Sequence, residues 1–137
     1  MQLSQAALSE TRVLVFSQDP ALVESVRRAL SPRYRVTTCA SSLAALSLVE
    51  SGKRFDVVVG GLEGGLEFHD RLDLADPVLA RSCLFLAPGR ISASDEAFVE
   101  QIHVRALFGA LRIDRLLEEV EALAERASRH REALRAG

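Results

Sequence analysis

Cysteine is scarce in this chain: there are two, Cys39 and Cys83. They form neither a C-x-x-C pair nor a zinc-type spacing, which argues against a dithiol redox motif and a thiolate metal centre; each sits among small or apolar neighbours, and the expectation is two buried thiols in a reducing compartment. Long hydrophobic runs are also missing, since none approaches the roughly 20 residues that a membrane-spanning helix needs. The opening "MQLSQAALSETR" lacks the basic start and apolar stretch of a secretory signal, so a cytoplasmic location is the simplest expectation. Nor is there an excess of one charge: 17 Lys and Arg against 19 Asp and Glu leave a formal net charge of −2. Such a balance predicts no long-range field to gather nucleic acid or an anionic membrane. Internal repeats and low-complexity segments are absent as well.

What is present is a globular composition. Of 137 residues, 48% are hydrophobic, enough for one compact core burying roughly two-thirds of the unfolded surface. Five short apolar runs alternate with five helical patterns, an order that predicts a parallel sheet covered by helices on both faces. The expected strands are Arg12 to Phe16 ("RVLVF"), Arg35 to Cys39 ("RVTTC"), "FDVVVG" from Phe55 to Gly60, Cys83 to Ala87 ("CLFLA") and a weak one near Arg105 to Phe108. Asp19 and Pro20 predict the start of a helix through Leu30. Ser41 and Ser42 are cap candidates for a helix through Glu50, stopping at Gly52. Further helices are expected around Gly65 to Ala75, closed by Asp76 and Pro77, and from about Ser94 to Ile102. The last, from about Arg112 to Arg135, reaches roughly 36 Å, so that half of it is expected to overhang the domain.

The third run ends in "VVVGGLEGGLEF", Val57 to Phe68. A glycine-rich turn between a strand and a helix can hold phosphate on backbone N–H groups. The spacing of Gly60, Gly61, Gly64 and Gly65 matches neither a dinucleotide fingerprint nor a P-loop. Glu63, Glu67 and Asp70 crowd the turn, with no cation before Arg71. A tight turn is the favoured reading, with anion binding the alternative.

Taken together, the five βα units resemble the receiver domain of bacterial two-component response regulators over about Arg12 to Leu123. The similarity rests on "RVLVFSQDP", "FDVVVGGL" with "GGLEF", "LFLAPG" and "VRALFGALRIDRLLEEV", which recur in order. It implies an α/β, flavodoxin-like (βα)5 three-layer sandwich with parallel strand order 2-1-3-4-5 and an extended C-terminal helix. Receiver chemistry moves a phosphoryl group from a histidine kinase to an aspartate. It requires Mg²⁺-binding acids, the aspartate itself, a lysine and a hydroxyl. By the resemblance, the metal-binding acids fall on Ser17 and Gln18, and the nucleophile on Gly61, or on Gly60 in a register shifted by one. The hydroxyl position falls on Ala87, the lysine on Gly109 followed by Ala110, and the aromatic switch on Ala106. The loop after Gly61 is about four residues shorter than the family's. A degenerate phosphorylation site is the expectation, with no catalytic residue, no metal and no cofactor; no cation is expected in the cleft.

Asp19 stands at the mouth of that cleft and reads as a helix cap or, alternatively, as a functional acid; Glu63 reads as a loop acid or a displaced acceptor. His69, His103 and His130 are too scattered for a metal or catalytic set. No G-x-S-x-G elbow occurs. In the last helix Ile113, Leu116, Leu117, Val120 and Leu123 form an apolar stripe. Beyond it, "AERASRHREALRAG" retains Ala124, Ala127 and Leu134 among charges, and reads either as a solvated tail or as a helix completed by a partner. The expected organisation is a flexible segment 1–11, a pseudo-receiver domain 12–123 and a helical extension 124–137. The expected function is that of a non-enzymatic, phosphorylation-independent protein–protein interaction module, an adaptor or regulator in bacterial signalling. Its partner would be another signalling or regulatory protein, or a second copy through the fourth and fifth βα units, with no nucleic acid and no membrane. The candidate contact residues are Arg105, Phe108, Arg115, Leu116 and Glu119. The alternatives are phosphorylation at a non-standard acid, Asp19 or Glu63, and sensing of a small anion at the glycine turn.

Overall fold

The computed structural model describes residues 10–63, 65–102 and 104–136. Its elements are β1 (Arg12–Phe16), α1 (Pro20–Leu30), β2 (Arg35–Cys39), α2 (Ser42–Glu50), β3 (Val57–Gly61), α3 (Gly65–Ala75), α4 (Pro77–Ala80), β4 (Cys83–Ala87), α5 (Ala93–Ile102), β5 (Arg105–Phe108) and α6 (Ile113–Ala136). The strands form one parallel sheet in the order β2-β1-β3-β4-β5. The apolar runs of β3 and β4 are buried on both faces, whereas β2 and β5 keep partly exposed residues as edge strands.

Alternation along each strand divides the core in two. On one face Leu14, Phe16, Val58 and Phe85 pack with Leu46 of α2, Phe68 and Leu72 of α3 and Phe98 of α5. On the other, Val13, Val15, Val57, Val59 and Leu84 meet Val26 and Leu30 of α1 and Leu116, Val120, Leu123 and Ala124 of α6. Each buried Leu or Val on α6 contributes about 1.5–3 kcal/mol of burial, so this one helix covers its half of the sheet securely. Among the described residues no helix is long and apolar enough to cross a membrane.

Four boundaries differ from the sequence expectation. The third strand starts at Val57 and includes Gly61: Phe55 is buried ahead of it, and the Asp56 N–H donates to Arg12 O at 2.8 Å. Pro77 does not only stop α3; it opens the short α4, capped by Asp76 Oδ1 accepting from Leu79 N–H at 3.0 Å. Thr11, in the segment expected to be flexible, is buried, and its carbonyl accepts from Arg35 N–H at 3.0 Å; residues 1–9 of that segment lie outside the described residues.

The fourth difference concerns the last helix, which is expected to overhang the domain by half its length. It is continuous through the Leu123 boundary, with Ala124 fully buried, and Arg131 pairs with Asp56 just before β3. Packing therefore follows α6 for about 27 Å, from Ile113 to Arg131. The cause is a carboxylate 75 positions away in sequence, which no local pattern reveals.

Candidate functional site

In this strand order the chain leaves β1 toward β2 and later returns to place β3 on the other side, so the loops after β1 and β3 diverge and open a crevice at the carboxyl edge of the sheet. The crevice is a cavity of about 470 Å³ lined by Ser17, Gln18 and Asp19 after β1, by Gly61 at the end of β3 with Leu62 and Glu63 after it, by Ala87 at the end of β4 and Arg90 beyond it, and by Asp95 of α5. Of the positions singled out by the resemblance, Ser17, Gln18, Gly61 and Ala87 thus share one cleft, while Ala106 and Gly109 line a neighbouring cavity.

The two glycines ending β3 have different surroundings. A Cβ on Gly60 would lie 2.2 Å from Phe16 Cζ, because Phe16 and Gly60 are register partners and the ring crosses the glycine. A Cβ on Gly61 would point at Ser17, 3.3 Å from its Oγ. Gly61 is therefore the cleft position, and Gly60 is the space occupied by an aromatic ring.

Polar groups at the rim serve the backbone. Ser17 Oγ accepts from Asp19 N–H at 3.1 Å, and Asp19 Oδ1 accepts from Ala21 N–H at 3.0 Å as the N-cap of α1. Ser92 Oγ accepts from Asp95 N–H at 3.1 Å at the start of α5. The cap reading of Asp19 holds, which engages one of its oxygens.

Arg90 corrects an expectation. The loop leaving β4 folds over the carboxyl edge and brings this guanidinium into a cleft expected to hold no cation. Asp19, Glu63 and Asp95 outnumber it three to one, so the local balance stays negative. Where phosphotransfer needs an acceptor carboxylate and a hydroxyl, Gly61 and Ala87 offer none.

Gly109 is not in this cleft. It has φ +86°, a left-handed conformation that favours glycine, and its N–H donates to Ala87 O at 2.9 Å. It lines a neighbouring cavity of about 380 Å³ with Leu22, Phe108, Leu111, Arg112 and Arg115. Phe108 is 52% exposed there, a large apolar surface for an isolated side chain. Arg115 lies 3.8 Å from Glu119, and Glu119 lies 2.6 Å from Arg105, so these charges form a connected strip from the cavity along α6 and β5. Leu116 is a correction: it is 0% exposed, packed in the core beneath α6, and so is no surface contact.

Among the described residues, the histidines and cysteines lie outside the cleft lining. His69 Nε2 donates to Ala80 O at 3.0 Å and its ring meets Phe98 edge-on; His130 is exposed; His103 lies outside the described residues. Cys83 is buried as expected, with its thiol proton held well above the ordinary range first by burial and then by Asp76; Cys39 is only half-buried, and burial raises it as well. Among the described residues no three His, Cys, Asp or Glu side chains converge as a metal site requires.

No family model and no curated protein matches the chain. Solved structures do. The adenylate cyclase structure from Rhodopirellula baltica is 22% identical with TM-score 0.77, covering 93% of this chain and 99% of that one. The signal receiver domain of a putative LuxO repressor protein from Vibrio parahaemolyticus is 20% identical with TM-score 0.75, covering 93% and 98%. That of an HD domain-containing protein from Pseudomonas fluorescens is 17% identical with TM-score 0.78, covering 90% and 93%. Strand order, crevice and these likenesses agree that the chain has the fold of response-regulator receiver domains.

Proposed function

We propose that this chain is a degenerate receiver: a non-enzymatic, phosphorylation-independent interaction module that acts in bacterial signalling by docking to another signalling protein. One observation carries the reading. The cleft where a receiver performs phosphotransfer is lined by Ser17, Gln18, Gly61 and Ala87, which supply neither a carboxylate pair for Mg²⁺ nor an acceptor nor a hydroxyl at the end of β4. At Ser17, Gln18 and Gly61 uncharged groups stand where the family's acids would repel one another without a cation, while Asp19, Glu63 and Asp95 keep the rest of the lining negative. Information then resides in shape and surface.

The docking surface we assign is the cavity edge around Phe108 and Arg115 with the Arg105–Glu119 pair beside it. An exposed aromatic flanked by arginine is the composition of an interface anchor. Arg90 favours a second reading, in which Glu63 accepts a phosphoryl group beside a neutralising guanidinium.

Acetyl phosphate with Mg²⁺, followed by intact mass measurement, separates the two. The first reading expects no acid-labile mass increase; an increase abolished by Glu63→Gln establishes the second. Docking is tested by affinity capture with the wild type and with Phe108→Glu: a partner retained by the first and lost by the second is expected. Equal capture by both would remove this face from the proposal.

A further inference from the structure

Every strand of the sheet is entered through an arginine. Arg12, Arg35 and Arg105 are the first residues of β1, β2 and β5, while Arg54 and Arg81 stand shortly before β3 and β4. In a parallel sheet all these entries fall on one edge, the edge opposite the phosphotransfer cleft. Charge that is nearly balanced over the whole chain is therefore unevenly distributed.

Three of these arginines converge with Arg131 of α6 around a cavity of about 390 Å³, whose remaining lining is Glu10 and Asp56. Arg12 and Arg35 are direct register partners on neighbouring strands, about 4.8 Å apart, a like-charge pairing that costs stability if nothing neutralises it. Asp56 does little for them. Its Oδ2 accepts the Arg12 backbone N–H at 2.9 Å and its Oδ1 is taken by Arg131. Among the described residues no ion pair involves the side chain of Arg12, Arg35 or Arg54. Residues 1–9 contribute no acidic side chain to the sequence. Four guanidiniums thus face two carboxylates, an excess of two positive charges.

We propose that this cavity binds an anion presenting two adjacent phosphate groups, as in pyrophosphate or the tail of a nucleoside polyphosphate. The unpaired guanidiniums are planar forks suited to phosphate oxygens, and a lone carboxylate has too few oxygens and too little charge to satisfy three of them. The volume lies in the range of small-ligand sites. The site is independent of the docking surface on Phe108, which lies near the other edge of the sheet.

The test is calorimetric titration of the full chain with inorganic pyrophosphate, ATP and orthophosphate at low and moderate salt. Saturable 1:1 binding of pyrophosphate that weakens with salt, and weaker binding of orthophosphate, is expected. ATP binding like pyrophosphate identifies the phosphates alone as the recognised group, and tighter ATP binding identifies a nucleotide as the source. Arg12→Gln and Arg35→Gln alter exposed side chains and leave the backbone bonds in place; each should weaken binding at least about tenfold, with circular dichroism verifying the fold. Phe108→Glu should leave the titration unchanged, so failure of the docking reading does not touch this one. Absence of saturable binding at millimolar pyrophosphate, orthophosphate binding as tightly as pyrophosphate, or wild-type affinity in both arginine variants overturns the proposal.

Discussion

Replacing Gly60 with alanine tests why glycine ends the third strand. The added Cβ would sit 2.2 Å from Cζ and 2.3 Å from Cε2 of Phe16. That ring has no room to withdraw: it is 3% exposed and lies 4.5 Å, centroid to centroid, from the buried Phe68. Overpacking of this kind costs about 1–3 kcal/mol, and replacing a strand glycine by alanine returns about 0.5–1 kcal/mol of backbone entropy. The expected net loss is about 1–2 kcal/mol, a drop in Tm of roughly 3–7 °C for a chain of this length. Urea denaturation should show a lower midpoint with an unchanged slope. Phe16→Leu supplies the control, because a shorter side chain vacates the space the Cβ needs. The double variant should then be more stable than the summed single effects by about 1–2 kcal/mol. A glycine kept for close approach of a ligand would show no such coupling, so additive losses, or no loss in Gly60→Ala alone, refute the assignment of this glycine to the ring.

Two other outcomes follow from the packing. Arg131→Ala removes the partner of Asp56, a pair with side chains 24% and 17% exposed; between the values for open and buried pairs, a loss of about 1 kcal/mol and a Tm lower by roughly 3–4 °C are expected in a thermal melt. An unaltered melt would return the end of α6 to solvent. For Cys83 the native thiol keeps its proton at pH values where the unfolded chain, at its ordinary value of 9.0, has released it. The unfolded state then binds fewer protons than the native state, so stability falls as pH rises past 9, by up to about 1.4 kcal/mol per pH unit. Urea titrations of wild type and Cys83→Ala at pH 8 and pH 10 should show the wild type losing more; parallel losses contradict the assignment.

Most of the fold is legible in the sequence because its determinants are local. The runs in β1, β2, β4 and β5 have the bounds that apolar content and flanking breakers suggest, and the Asp19 and Ser41 caps fall where a short side-chain acceptor precedes a helical stripe. Pro77 reads as a helix stop in the sequence, but the same fixed φ that ends one helix suits the first position of the next. The cleft is legible only through its strand ends. Arg90 belongs to a loop whose path over the edge is decided by tertiary packing, and the clasp of Arg131 onto Asp56 spans 75 positions. Leu116 is different: its place in the stripe with Val120 and Leu123 already marks it as core, which is at odds with its place among the contact candidates of the fourth and fifth βα units.

Asp56 joins three distant parts of the chain, the amide that begins β1, the strand it precedes and the far end of α6. During synthesis the sheet can be complete while one of its faces still lacks the cover of Leu116, Val120, Leu123 and Ala124. Until Ala124 is in place, the part of that face beneath α6 lacks its cover, while Val26 and Leu30 of α1 already pack on the rest. The last helix thus completes a core whose strands are all made before it, and a chain ending ahead of Leu116 would leave Val57, Val59 and Leu84 without that half of their cover.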